Sequence, residues 1–479
     1  MKRRSFLKQA GMAGAAIALG ADRARLHAEK KPNLVYVLPD QYRKHAMGFL
    51  NQDPVLTPRI DAFAKESLYL SDALSNYPVC SPHRAMLMTG QWPARNGVMA
   101  NCQSSRTHLN NFLKEDTRCL TDVLSDAGYD TGYIGKWHLD SPPSTPKGET
   151  AVWDVFTPPG PRRHSVDFWY AYNAANNHLR PHYWTGPGDV DDRVQVDQWS
   201  PEHEVDQAIA FVRNEGGDYR PGNRPFALFM SINPPHPPYN LVPDRYRELY
   251  AGKSADDLLV RENVDRSSEG IKRAPRNVLD YFAMVSGVDE QFGRLLDVLD
   301  EDGLADDTIV VFTSDHGEMM GSHNRMSKNV IYEESLNIPF LIRWPNGIQA
   351  RKDDLILSTP DIYPTLLGLM GMRDQIPETA EGADRSAVFA DGSGERPDEG
   401  VYMRLPPGRP QGGPRGVRTH RHTYQAGSPN QDALLFDNVE DPFQMNNLAG
   451  DDALRGELHA RMEQALAETR DPWLERRSG

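Results

Sequence analysis

Cys80-Ser81-Pro82-His83-Arg84 packs a thiol, an imidazole and a guanidinium into five consecutive residues. Proline suits the first turn of a helix, where its missing N–H costs nothing. The spacing therefore predicts a helix starting near Pro82, with Cys80 just ahead of it and Arg84 one turn on, on a neighbouring face. A nucleophile so placed feels exposed backbone N–H groups and the positive end of the helix dipole. A buried structural cysteine before a helix would give the same five letters, so the string needs company. Candidate company stands at Asp40, His236 and Asp315-His316. The two aspartates are charged oxygen donors of the kind a hard divalent cation takes.

These groups need elements to hold them, and the chain supplies strands in the right places. Residues 33–38 form a short apolar run rich in β-formers, stopped by Pro39-Asp40. Strands are also expected from Thr131, over 226–232 ahead of His236, and over 308–313 ahead of Asp315. Helical spacing of apolar residues predicts helices over 57–67, 120–127 (closed by Gly128), 279–299 and 361–370. Strands alternating with helices argue for an α/β fold, a large central mixed and mostly parallel sheet sandwiched by helices. In such sheets ligands gather at the carboxyl ends of the strands, which would bring Asp40, His236 and Asp315-His316 into one crevice. After residue 385 the text changes: Gly/Pro-rich loops (406–414) surround short pieces at 417–424 and 434–437, then a helix over 452–467. This reads as a smaller C-terminal α+β subdomain, residues 386–479, behind a catalytic domain at 29–385.

The first 28 residues read as an address. Arg3-Arg4-Ser5-Phe6-Leu7-Lys8, followed by a short Ala/Gly-rich run, is similar to a twin-arginine export signal, with Ala28 a cleavage point. The expected location is periplasmic or secreted, by way of the twin-arginine translocase. That apolar run is too short to span a bilayer, and no later segment is apolar enough, so no membrane anchor is expected. The formal net charge of −14 speaks against a nucleic-acid partner. It also means that a site for an anion must gather cations locally. Three cysteines are present; if Cys80 is consumed by chemistry, Cys102 and Cys119 could pair, a matter spacing leaves open.

Cys80-Ser81-Pro82-His83-Arg84, with Thr89-Gly90 downstream, resembles the first signature of the formylglycine-dependent (type I) sulfatases of the alkaline phosphatase superfamily. Gly128 to His138, ending Gly135-Lys136-Trp137-His138, resembles the second. Asp40-Gln41, Pro235-His236-Pro237 and Ser314-Asp315-His316-Gly317 fall in the family's order, and the resemblance runs through nearly all of the chain past the leader. It implies that a formylglycine-generating or maturase enzyme oxidises Cys80 to formylglycine, whose hydrate attacks sulfur. It implies a divalent cation, calcium before manganese or magnesium, held by Asp40, Gln41, residue 80, Asp315 and His316. Many members carry Asp where Gln41 stands and Asn where His316 stands, so this set has less charge and one imidazole. Arg84 would hold the hydrate, and Lys136, His138 and Lys328 would surround the sulfate. His138 becomes the candidate base, and His236, with Lys328, the candidate acid for the leaving alcohol. Lys328 follows Ser327 where the family usually shows glycine.

Substrate contacts are expected from a basic-aromatic loop over 177–184, through His178, Arg180 and His182, and from His323 and Arg325. Arg409, Arg415 and Arg418 could line the mouth. The resemblance and the export signal together imply hydrolysis of a sulfate ester on a carbohydrate, either a small molecule or an oligosaccharide. A phosphonate monoester or phosphodiester hydrolase of the same superfamily would use the same nucleophile and a similar cation set. A non-catalytic glycan binder would be expected to have lost one of these groups, and none is lost.

Overall fold

Every residue of Asn33–Val37 (β1) is buried, as an uninterrupted apolar strand covered on both faces should be. The computed structural model describes residues 31–222, 224–267, 271–427 and 432–477, so the basic leader lies outside the described residues. β1 sits at the centre of a ten-stranded sheet. The other strands are β2 (Leu68–Leu74), β3 (Asp130–Lys136), β4 (Phe168–Tyr172), β5 (His182–Thr185), β6 (Arg193–Gln195), β7 (Phe226–Ser231), β8 (Thr308–Thr313), β9 (Phe340–Arg343) and β10 (Arg351–Ser358). Their spatial order is β10-β2-β9-β8-β1-β7-β3-β4-β5-β6. The run β8-β1-β7-β3-β4 is parallel throughout. β9 is antiparallel to both β8 and β2, so β2 points the same way as β8. The carboxyl ends of β1, β2, β3, β7 and β8 therefore share one edge, and the mixed, mostly parallel sheet read from the sequence is the one observed.

Alternation along each strand divides the core in two. Val35 and Val37, Leu228 and Met230, and Val310 and Phe312 face one apolar cluster, covered by helices Pro58–Lys65, Ser200–Arg213 and Ala274–Glu301. Leu34 and Tyr36, Ala227 and Phe229, and Ile309 and Val311 face the other, under helices Cys80–Thr89, Leu120–Asp126 and Thr359–Leu369. Four antiparallel strands, β11 (Glu399–Met403), β12 (Arg415–Thr419), β13 (His422–Gln425) and β14 (Leu434–Asp437), form a second sheet packed on helix Asp452–Glu468. A third cluster joins Tyr77, Val79 and Met86, which flank or lie on the Cys80 helix, to Val401, Met403, Val417 and Leu458. The small sheet thus backs the segment that carries Cys80.

Some local expectations change. The piece expected over 417–424 is a hairpin, β12 and β13 turning at His420-Arg421. The loop expected over 177–184 ends in β5, where Tyr183 and Trp184 are buried against aromatic neighbours. Cys102 and Cys119 are separate buried thiols, not a disulfide. No helix of the described residues is long and apolar enough to cross a membrane.

Candidate active site

The helix that carries Cys80 begins at Cys80 itself, which the sequence places just ahead of it. Val79 is its extended N-cap, Pro82 lies in the first turn, and Gly90 closes it in the left-handed region. All ten helical residues are buried, which fixes the direction of the Cys80 side chain. Its Sγ lies 3.2 Å from His316 Nε2, 3.7 Å from Asp40 Oδ1 and 4.0 Å from Lys136 Nζ. These neighbours come from the loops after β1 and β8 and from the last residue of β3, so the shared carboxyl edge brings the groups together as topology requires.

Asp40 and Asp315 are fully buried and divide their oxygens between two tasks. Their Oδ2 atoms face cations: Arg84 Nη2 donates to Asp40 (3.2 Å) and to Asp315 (3.0 Å), Arg84 Nε to Asp315 (3.1 Å), and Lys136 Nζ to Asp40 (2.7 Å). Their Oδ1 atoms face His316 Nε2, at 3.6 and 3.5 Å. A buried unpaired carboxylate would cost several kcal/mol, so the two cations are what allow two acids to stand here. Arg84 uses its remaining donors on the Lys136 carbonyl (2.8 Å) and the Ser231 hydroxyl. Burial alone would raise the Asp40 pKa, but Lys136, His236, His316 and Arg84 hold it well below the usual carboxylate range. Burial and Asp40 push the Cys80 thiol up, and Lys136, Lys328 and His316 outweigh them, leaving it below its ordinary value.

The donor set tests whether a divalent cation fits. Asp40, Cys80, Asp315 and His316 each offer one atom, all within 4.8 Å of one another. His316 Nδ1 lies 3.1 Å from the Gly317 carbonyl, which can only accept, so Nδ1 carries hydrogen and Nε2 faces the cluster. Burial opposes charge on His316, yet Asp315 and Cys80 raise its pKa. The carboxylates thus draw a proton to Nε2, where a cation would take the proton's place. Two carboxylate oxygens and an imidazole nitrogen fit a hard or borderline divalent ion. Gln41, held at φ 67°, donates its backbone N–H to Asp315 Oδ1 (3.1 Å). Its side-chain carbonyl accepts from Lys328 Nζ at 2.5 Å, and its amide donates to Glu318 and Tyr239.

The remaining imidazoles differ in their fit. His138, at φ 53°, is buried with no partner for either ring nitrogen among the described residues, an orphaned polar group beside Lys136. Burial, helped by Lys136 and Arg84, keeps it neutral. His236 Nδ1 lies 2.8 Å from the Pro237 carbonyl, and burial, Lys328 and Lys136 lower its pKa well below the ordinary value. His178 stands behind it: His178 Nε2 donates to the His236 carbonyl at 2.8 Å.

The other residues singled out in the sequence lie farther out. Arg180 is exposed and pairs with Asp197 at 3.3 Å, while His182 Nε2 meets Asp154 Oδ2 at 2.6 Å. His323 stacks on Tyr332 with centroids 3.8 Å apart, and Arg325 is exposed. Arg415 and Arg418 do not line the mouth. Arg415 is buried against Asp471, and Arg418 against Asp72 and Glu333, because the small sheet needs its interior charges paired. Sequence reading missed Ser231, Asn233 (which accepts from Lys136 Nζ at 3.2 Å) and Glu318, whose carboxylate also takes the N–H groups of Met320 and Ser327. The signal for Glu318 was its place three residues after Asp315.

A sheet edge that presents a cysteine, two carboxylates and a ring of cations is the site of a hydrolase acting on an anionic ester. The family model "Sulfatase" matches residues 32–372, and the model "N-sulphoglucosamine sulphohydrolase, C-terminal" matches residues 321–472. The chain belongs to the sulfatase family. It is 41% identical to an endo-4-O-sulfatase of Bacteroides thetaiotaomicron, over 92% of this chain and 93% of that protein. It is 35% identical to an ulvan-active sulfatase of Formosa agariphila, over 93% and 83%. A solved sulfatase from a study of glycosaminoglycan metabolism by Bacteroides thetaiotaomicron superposes with a TM-score of 0.85 at 40% identity, covering 93% of this chain and 98% of that one. The family's chemistry implies a metal ion and formylglycine at residue 80.

Proposed function

We propose that this protein hydrolyses sulfate esters on sulfated carbohydrates, with oxidised Cys80 as nucleophile and calcium as the cation. The observation that carries this reading is the convergence of Cys80 Sγ, both Oδ1 atoms and His316 Nε2 on one buried point, ringed by Arg84, Lys136 and Lys328. Its sulfatase relatives of glycosaminoglycan and ulvan metabolism support the carbohydrate class.

Oxidised to formylglycine and hydrated, residue 80 supplies an oxygen nucleophile that can later release sulfate by collapse. A divalent cation held by Asp40, Asp315, His316 and residue 80, with Gln41 completing the set, supplies Lewis acidity. Around them the chain's own groups do the rest. Arg84, permanently charged, fixes both carboxylates and holds the hydrate. Lys136 and Lys328 offset the sulfate charge. His138, neutral and unpartnered, takes the proton when the sulfated hydrate collapses. His236 has its Nδ1 hydrogen committed to a carbonyl, so it serves the leaving alcohol only when Nε2 is protonated. The negative sulfate opposes the burial that otherwise keeps that ring neutral. Such transfers contribute about 100- to 10,000-fold in rate.

Residues 29–385 would carry the reaction and 386–479 would form the backing subdomain. Residues 1–28 would direct the folded enzyme through the twin-arginine translocase to the periplasm or beyond. Peptide mass spectrometry of protein made with a maturation enzyme should find aldehyde at position 80, and Cys80→Ala should abolish sulfate release. Fully active enzyme bearing only thiol there would falsify the mechanism. Rates on a sulfated sugar, a phosphodiester and a phosphonate monoester, measured side by side, separate this reading from the hydrolase alternative, which predicts that the sulfate ester is the slowest.

A further inference from the structure

A cleft of about 440 Å³ lies beside the segment that leads into Cys80 and has no assigned role. It is lined by Tyr77, Arg106, Trp153, Lys328, Asn329 and Arg404 among others, and by no aspartate or glutamate among the described residues. Three connections join it to the site. Val79, in its wall, precedes Cys80; Lys328 reaches Gln41; and the Trp153 ring lies 6.0 Å from the His138 ring. A larger cavity, about 550 Å³, shares no residue with it and is lined by six carboxylates against two arginines, the wrong sign for a polyanion.

The arginines of the cleft differ from most of the buried arginines, Arg163 being another that donates only to carbonyls. Arg43, Arg84, Arg415 and Arg418 all meet carboxylates. Arg106 Nη1 donates to the Asn101 carbonyl at 3.0 Å, and its side chain meets no carboxylate among the described residues. Partial burial without a counter-ion lowers its pKa. The Arg404 side chain is exposed and has no hydrogen bond or ion pair among the described residues. Trp153 is 40% exposed, yet its backbone is pinned. Its carbonyl accepts from Asn173 (2.8 Å), Val152 N–H donates to Ser104 (2.8 Å), and Asp154 takes the N–H groups of Asn173 and Ala174 and the His182 ring. An indole held rigid and left open is a platform for a sugar face.

We propose that a sugar ring stacks on Trp153 and that Arg106 and Arg404 bind a second anionic group, a carboxylate or a second sulfate, on the adjoining residue of the glycan. This rests on the sulfatase reading and deepens it: the substrate is a polyanionic chain, not an isolated sulfated sugar. His182 then acts as a positioning residue, through Asp154.

The test uses holoenzyme and four probes: a monosulfated disaccharide bearing a uronic acid, the same disaccharide with its carboxyl reduced to the alcohol, and mono- and disulfated neutral disaccharides. The readout is a ratio of kcat/KM values within one preparation, which cancels differences in active fraction. Native enzyme should prefer the acid over its reduced twin, or the disulfated over the monosulfated sugar, by about 10-fold or more, the worth of one charge-assisted bond. The first preference assigns a carboxylate, the second a sulfate. Arg106→Ala and Arg404→Ala should erase whichever preference is found, and Arg404→Lys should restore part of it. No preference in the native enzyme, or one that survives both alanine variants, would overturn the subsite. Sulfate released from none of the four would overturn the sulfatase reading and the subsite together.

Discussion

Replacing Gly135 by alanine should separate the placement of Lys136 from its chemistry. Gly135 sits in β3 opposite Ser231 of β7, at φ 96°, one residue before Lys136. A Cβ there would overlap the Ser231 carbonyl oxygen and stand 3.0 Å from its carbon and 3.3 Å from Glu204 Oε1. The left-handed backbone costs an L residue about 1–2 kcal/mol. Forcing a methyl into the strand pair costs about 1–3 kcal/mol more, for a total of roughly 2–5 kcal/mol. Over 479 residues the unfolding entropy is about 1 kcal/mol per kelvin, so Tm should fall by about 2–5 °C. The functional loss should be larger. The strands can part only by moving Lys136, whose ammonium and carbonyl hold Asp40 and Arg84, or Ser231, which takes another Arg84 donor. A shift of an ångström in such a site costs about 100-fold. Calorimetry and kcat on a sulfated sugar measure both effects, with Gly128→Ala as the control. Gly128 has φ 85° with nothing near its missing Cβ, so it shares the backbone penalty without the collision. If Gly135→Ala kept native kcat, or Gly128→Ala lost as much, the link from glycine to Lys136 would be wrong.

Arg84→Lys should lose two or more charge-assisted bonds, since one ammonium cannot meet Asp40, Asp315, Ser231 and the Lys136 carbonyl at once. At about 1.5–3 kcal/mol each, the denaturant midpoint should show a loss of roughly 3–6 kcal/mol. A near-native midpoint would mean the guanidinium is not what holds the carboxylates. Removing divalent cations by chelation should stop turnover and lower Tm by about 4 °C if the ion was present at about 1,000 times its Kd, and calcium should restore both. An unchanged Tm would refute the ion's place between Asp40 and Asp315. Burial lowers the pKa of His45, His83 and His236, and takes His178 to about 4. Each of these rings takes up a proton on unfolding at acid pH, so each adds stability as pH rises from about 4 to 6.5, against the opposite slope of Asp289, whose carboxyl burial pushes up to about 7. His178 alone should contribute roughly 3 kcal/mol across that window, so the native profile should climb by about that much more than the profile of His178→Phe, and equal slopes in denaturant titrations would contradict it. Arg415→Met should cost about 3–5 kcal/mol by stranding Asp471 while KM stays native. A raised KM at native stability would return Arg415 to the substrate mouth.

Asp40, His236 and Asp315-His316 were legible because each follows a strand whose own text announces it. The run ending at Pro39-Asp40 and the one ending at Ser314-Asp315 needed only the rule that carboxyl ends converge. Cys80 and Arg84 were legible through Pro82, which marks where a helix starts. What escaped was anything defined by a partner distant in sequence. Arg404, Arg415 and Arg418 look alike in a Gly/Pro-rich stretch, and only the fold says that two are neutralised by Asp471, Glu333 and Asp72 while the first meets no carboxylate among the described residues. Trp153 sits in a segment with no periodicity, and its role comes from hydrogen bonds to Ser104 and Asn173, on elements far apart along the chain. Gln41 shows the same limit from the other side. The sequence gives the donor, but Lys328, Glu318 and Tyr239 decide which way its amide points.

A protein of net charge −14 that binds anions has to solve a local problem, and the structure does so in layers. At the floor, Asp40 and Asp315 are matched by Arg84 and Lys136, so the paired core is close to neutral. A divalent ion would then add its full charge where sulfate must sit. His138 and His236 contribute polarity without charge, since burial keeps both neutral. Above them Lys328, Arg106 and Arg404 form a cationic rim with no carboxylate in it. Surface charges more than about 8 Å away are largely screened at physiological salt, so the acidic exterior does little to an anion already inside the cleft. The exterior still acts at longer range when salt is low, where it should slow the approach of a polyanion. Added salt should therefore first speed association and then, as the rim itself is screened, weaken it. A rate that only falls with salt would mean that the cleft's field, and not the net charge, governs the approach from the start.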